Sequence, residues 1–183
     1  SAPIAPYEEA TVAAGIEGPR RPNLWDTSLR VPLLVRWPGV GTPGAVVDDV
    51  VSNVDTFASV LGILGVEAPR DWKHEGADFS PRLRGQPVPP RDALYAQYDL
   101  HNLGLARMRA IRTARWKLVR HFESRQLDEF YDLAEDSGEQ RNLMHWGEMR
   151  TPTPEQKNSL MELDGRLRAW LQSVGDPVLT SSP

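Results

Sequence analysis

The densest chemistry-bearing stretch of the chain is basic. Arg107, Arg109, Arg112, Arg115, Lys117 and Arg120 follow one another within a few residues. Planar guanidinium forks at this density suit an oxyanion, because each offers paired donors that match a sulfate, phosphate or carboxylate edge. His101 and Asn102 stand just before the series, so a substrate contact made by His101, Asn102, Arg107 and Arg109 is the sharp expectation. The bland one is a solvated sheet face, and both stay open on residue types alone.

Other constellations are thinner. His74, His101, His121 and His145 are scattered without ligand spacing, and no metal site is expected from them. Asp48-Asp49 and Asp128-Glu129 read as solvated carboxylate pairs whose side chains point to opposite sides. No G-x-S-x-G, Gly-rich phosphate loop or H-E-x-x-H is present. The chain has no cysteine, which removes disulfides, thiolate metal sites and a cysteine nucleophile. No catalytic residue is therefore assigned.

A net charge of −4 and a pI near 5.6 work against a nucleic-acid partner. No apolar run reaches the length of about 18 residues that a membrane-spanning helix needs. The first residues, SAPIAPYEEATVAAGIEG, lack the basic start and apolar middle of a signal peptide. With 40% hydrophobic residues in 183, the chain can build a real core.

The elements that would position the basic series can be read in order. Residues 1–23 are irregular, broken by Pro3, Pro6, Gly15, Gly18, Pro19 and Pro22. Val31 to Val35 is almost continuously apolar and stops at Trp37-Pro38-Gly39, as a strand does when both of its faces are covered. A second extended piece, AVVDDVVSNVD, leads to a helix capped by Asp55 or Ser52. Phe57, Val60, Leu61 and Leu64 share one face of that helix, and Gly65 stops it. After a loop-rich stretch over 66–92, strands are predicted at 93–100, 106–113, 116–122 and 128–134. The middle two are joined by a tight turn at Ala114-Arg115. The last element is a helix opened by the capping box Thr153-Pro154-Glu155-Gln156. Its stripe is Leu160, Leu163, Leu167, Trp170, Leu171 and Val174, and Gly175 and Pro177 end it. Such a stripe suits the cover of a small antiparallel sheet.

Several segments resemble those of sulfatases, and they do so in the right order from about Arg21 to Pro177. NLWDTSLRVPLLVRWPG is similar to the family's aromatic–acid–x–Ser–x–basic–Val-Pro segment ending in Trp-Pro-Gly. VVSNVDTFASVLGILGVEAP and GADFSPRLRGQ resemble the strand, helix and turn that follow. MRAIRTARWKLVRHF and DEFYDLAEDSGEQRNL resemble the paired strands and the Tyr-Asp-Leu signature of the sulfatase C-terminal subdomain.

The resemblance implies a fold class: an α/β fragment followed by α+β. It comprises the last strand and helix of an alkaline-phosphatase-like domain, then a small antiparallel sheet covered by a C-terminal helix. The implied domains are an irregular 1–23, the end of the α/β domain at 24–80, and the C-terminal subdomain at 81–183. It implies a parent that hydrolyses sulfate esters or sulfamates with calcium and a formylglycine nucleophile, and that is periplasmic or secreted. The Cys/Ser-x-Pro/Ala-x-Arg motif from which formylglycine is made is absent, and Ser80-Pro81-Arg82-Leu83-Arg84 is not that motif. The metal ligands of the family find no counterpart either.

The expectation is therefore the C-terminal portion of a sulfatase, one piece of a longer whole, inactive alone, completing the fold and lining the substrate mouth. The rival is a non-catalytic module that binds sulfated glycans or assembles on a separate sulfatase chain. An apolar ribbon without neighbours predicts self-association, poor solubility or a different fold of the N-terminal part.

Overall fold

The computed structural model describes residues 23–69, 71, 75–100, 106–123, 125–144 and 151–180. They form two compact units. One joins the described residues up to Val31 to those from Ala93 onward, and the other is Pro32–Asp92.

The first unit is built on a four-stranded antiparallel sheet in sequential order: β1 (Leu94–Leu100), β2 (Ala106–Arg112), β3 (Trp116–His121) and β4 (Glu129–Asp132). All four strands fall where the alternation and turn signals place them. Register pairs Tyr95 with Ile111, Ile111 with Leu118 and Leu118 with Phe130. These residues share one face, since side chains alternate along a strand. The turn at Ala114-Arg115 needs no left-handed residue. Thr113 N–H reaches the Trp116 carbonyl at 2.8 Å, and the Thr113 hydroxyl accepts from Trp116 N–H at 2.9 Å.

A long helix covers that face. This is α4 (Pro154–Val174), which follows α1 (Asp26–Leu29), α2 (Asp55–Leu64) and α3 (Ser80–Leu83) in the chain. Thr153 and Gln156 close the reciprocal capping box, and Gly175 ends the helix at φ +66°. Leu163, Leu167 and Leu171 are buried against Ile111, Leu118 and Phe130. Trp170 stacks on Tyr95 with ring centroids 4.8 Å apart, and Trp116 stacks on Phe130 at 5.2 Å. The opposite sheet face carries Met108, Ala110 and Val119, and Leu24 buries itself there.

The second unit departs from expectation. Residues 30–36 form no strand, and Leu33, Leu34 and Val35 are exposed. The physical reason is that no described segment offers them a ladder. In α2 the apolar stripe of Phe57, Val60 and Leu64 faces outward, and the buried helical residues are Asp55 and Ser59. The cap expected from Asp55 or Ser52 is not made: Val54 is the N-cap without a side-chain cap bond, and the Asp55 carboxylate instead accepts from Ser52 N–H at 2.7 Å.

The α4 stripe outweighs its cap. Leu167→Ala is expected to destabilise the sheet unit by about 2–5 kcal/mol, and Thr153→Ala by about 1 kcal/mol. Chemical denaturation of the two variants checks the ranking.

Candidate functional site

Every cation of the basic series meets a carboxylate. The alternation of β2 and β3 sorts them onto two faces. Arg107, Arg109 and Arg120 point to the α4 side, and Arg112 and Lys117 to the other.

On the α4 side, Arg109 is 2% exposed. Its Nε donates to Asp176 Oδ2 at 2.6 Å, and its Nη1 to Asp99 Oδ1 at 2.7 Å. A further bond runs from Nη1 to the Met108 carbonyl at 2.9 Å, and Nη2 donates to both aspartates. The guanidinium thus ties β1 to the segment after α4. Asp176 also accepts from Val178 N–H, capping the short 3₁₀ turn Pro177–Leu179. Burial alone would raise the Asp176 pKa, but the Arg109 hydrogen bonds and the Val178 N–H overcome it and hold the carboxyl below its ordinary range. Arg107 is paired with Glu123. Arg120 bridges Asp128 at 2.6 Å and Asp164 of α4 at 2.7 Å.

On the other face, Lys117 is fully buried. Its ammonium donates to Asp26 Oδ1 at 3.0 Å and to Glu139. Asp26 also receives Arg112 Nε and Nη2, at 2.9 and 2.8 Å. Asp26 N–H closes the circuit on Glu139 Oε2 at 2.6 Å. Glu139 sits at φ +54°, a left-handed conformation uncommon outside glycine, so the clasp holds it at a backbone cost. Desolvation opposes ionised Asp26, yet the hydrogen bond from Arg112 and the charge of Lys117 keep its pKa below the usual value.

Beside this clasp, Glu129 accepts from Tyr131 Oη at 2.7 Å and meets His121 Nε2 at 2.9 Å. The Trp25 side chain bonds to the same pair. Burial raises and these partners lower the Glu129 pKa, with a net depression. Tyr131 is pushed up by burial and by the adjacent carboxylate.

The segment DEFYDLAEDSGEQRNL is thereby explained as structure. Asn142 Oδ1 accepts from Phe130 N–H at 3.0 Å, and its Nδ2 donates to the Asp128 carbonyl at 3.0 Å. Asp136 caps Gln140 and Arg141 N–H groups, and Asp132 receives Arg115. The reading of Asp128-Glu129 as a solvated pair is corrected. The two do point to opposite faces, but Glu129 is hydrogen-bonded to His121 and Tyr131, and Asp128 is buried because it serves Arg120 and His121 N–H.

Of the sequence-predicted substrate contacts, Arg107 and Arg109 therefore stand in ion pairs at opposite ends of a three-residue step in β2. His101 and Asn102 lie outside the described residues. What composition could not show is the partner of each cation. Asp26 precedes Lys117 by 91 residues and Asp176 follows Arg109 by 67.

These segments have counterparts in known proteins. Residues 20–166 match the family model described as N-sulphoglucosamine sulphohydrolase, C-terminal. The chain belongs to this family. It is a sulfatase C-terminal region of alkaline-phosphatase-like class. An ulvan-active sulfatase of Formosa agariphila is 30% identical over 156 residues, covering 83% of this chain and 28% of the relative. Rat steryl-sulfatase is 44% identical over 71 residues, 39% of this chain and 12% of its own. A solved Bacteroides thetaiotaomicron VPI-5482 protein assigned as a sulfatase superposes with TM-score 0.75 at 20% identity, covering 89% of this chain and 34% of that one. A solved protein in complex with its substrate D-glucosamine-2-N,6-O-disulfate superposes at TM-score 0.63 and 26% identity, over 78% of this chain and 28% of that one. The chain spans about a third or less of the length of these relatives.

The calcium that the family implies does not fit the described residues of this sulfatase region. Among them no group of three or more His, Asp or Glu could hold a metal ion. The acidic clusters already enclose a cation: Lys117 between Asp26 and Glu139, Arg109 between Asp99 and Asp176.

Two outcomes follow. Lys117→Ala leaves buried carboxylates uncompensated and is expected to cost about 3–5 kcal/mol, whereas Lys117→Met with Glu139→Gln, which keeps the Asp26–Arg112 pair, recovers part of the loss. The pH dependence has a definite sign. Asp26, Glu129 and Asp176 have folded pKa values below their ordinary 3.8, 4.5 and 3.8. Their stabilisation is complete above the ordinary carboxylate range and is lost as pH falls through the depressed values. Thermal melts should be flat between about pH 6 and 8 and drop steeply below about pH 4.

Proposed function

We propose that this chain serves hydrolysis of sulfate esters or sulfamates as the C-terminal portion of a sulfatase, and that it is inactive by itself. It completes the fold and holds the edge of the substrate mouth, while nucleophile and metal ligands come from outside these 183 residues. The observation that carries this reading is the full commitment of the basic series to internal carboxylates. A sheet whose cations are spent on its own acids is a scaffold, not an oxyanion site.

Contact with substrate then rests with His101 and Asn102, which follow β1 in the chain. Arg109 is a positioning residue in this scheme. By gripping Asp99 it fixes the last turns of pleat before His101.

The chain incubated with an aryl sulfate and calcium is expected to give no turnover above a heat-killed control, and turnover would contradict the reading. In a complete enzyme carrying this region, His101→Ala with Asn102→Ala is expected to raise KM about tenfold through lost charge-assisted hydrogen bonds, without moving the melting temperature. An unchanged KM for D-glucosamine-2-N,6-O-disulfate and for an aryl sulfate alike would remove these residues from the mouth.

A further inference from the structure

Residues 23–29 lie on the sheet face opposite α4, just before the chain leaves the sheet unit at Val31. Their own structure is slight. α1 is a single turn without a side-chain cap, closed by Ser28 and Leu29 N–H on the Trp25 carbonyl at 2.9 and 3.0 Å and by Arg30 N–H on the Asp26 carbonyl at 2.8 Å. A turn this short does not persist unless something outside it holds it.

The hold has an apolar part and an ionic part. Leu24 is buried among Met108, Ala110 and Val119, with Tyr98 of β1 alongside. The ionic part runs through three carboxylates. Asp26 receives Arg112 of β2 and Lys117 of β3. Glu139 accepts Asp26 N–H at 2.6 Å and pairs with the same Lys117. Glu129 of β4, faced by His121 and Tyr131, takes the Trp25 side chain. Charge-assisted bonds of this kind are roughly twice as strong as neutral ones, so each is weakened when its acid takes up a proton. A proton on Asp26 or Glu139 also leaves Arg112 and Lys117 side by side with too little negative charge to balance them. The hold on α4 is different. Leu163, Leu167 and Leu171 pack on Ile111, Leu118 and Phe130, contacts that no proton touches.

We propose that residues 23–29 form an acid-released strap: protonation of Asp26, Glu139 and Glu129 lifts it from the sheet while β1–β4 and α4 stay packed. The consequence is topological. The chain leaves the sheet unit after Val31 and re-enters it at Ala93, so Pro32–Asp92 is tied to that unit at both ends. Release of the strap loosens the first attachment and leaves the second, which runs straight into β1. The strap therefore sets how tightly the second unit is tethered. Burial works against ionised Asp26 and Glu129, but the hydrogen bonds from Arg112 and His121 help to overcome it and hold both carboxyls below their ordinary range. The strap is thus fully latched at neutral pH and opens as pH falls through those depressed values.

Amide exchange on the full chain, expressed as protection relative to the intrinsic rate at each pH, tests this. Below about pH 4, protection at Asp26, Leu29 and Arg30 is expected to vanish while Leu163, Leu167 and Leu171 keep theirs, as befits a local opening. Asp26→Asn, nearly the same shape without the charge, is expected to release the strap at neutral pH. Its Leu29 and Arg30 amides should exchange at least about tenfold faster than in the native chain, with α4 unaffected. The pH series on the native chain decides the matter even if that variant does not fold. Loss of protection in the strap and in α4 at one and the same pH overturns the proposal, as does a folded Asp26→Asn chain whose strap is as protected as the native one.

Discussion

A single ammonium group organises the sheet unit. Lys117 lies fully buried at the second position of β3, and a buried cation must be matched or the strand cannot pack. Its two carboxylates come from far along the chain in opposite directions: Asp26 from the segment before the second unit, Glu139 from the turn after β4. Satisfying Lys117 therefore brings three distant pieces to one sheet face. Leu24 and Trp25 follow Asp26 into place, and the backbone at Glu139 accepts a left-handed angle to reach. Arg109 performs the corresponding task on the α4 face by joining β1 to the segment after the long helix.

This arrangement explains why the family signature contains so many acids without being an acid–base site. Asp26, Asp128, Asp132 and Glu139 each answer a particular Arg or Lys of β2 or β3 or of the turn between them. Asn142 satisfies Phe130 N–H of β4 and the Asp128 carbonyl, and Asp136 satisfies backbone N–H groups of the turn that carries Glu139. Depressed carboxyl pKa values, often a sign of catalysis, here come from structural pairing.

How much of this the chain discloses depends on the range of the interaction. The strands, the α4 stripe and the Thr153–Gln156 box are local, with period or spacing of a few residues, and they are legible. The Ala114-Arg115 turn is legible for the same reason. Lys117 and Arg109 looked like surface cations because nothing local distinguishes a buried lysine from a solvated one. Their partners lie tens of residues away. The stripe of Phe57, Val60 and Leu64 was legible as a stripe, but not as an outward one. A helical pattern records which residues share a face, and says nothing of which way that face turns.

The central claim is that the β2–β3 cations are held by the protein's own acids and not offered to an anion. Side-chain nitrogen NMR on Arg109 and Lys117 during titration with D-glucosamine-2-N,6-O-disulfate tests it most directly. The account predicts that the Arg109 Nε–H and Lys117 ammonium signals stay where they are and exchange slowly throughout. Saturable shifts of both signals, with folding unchanged, would contradict it.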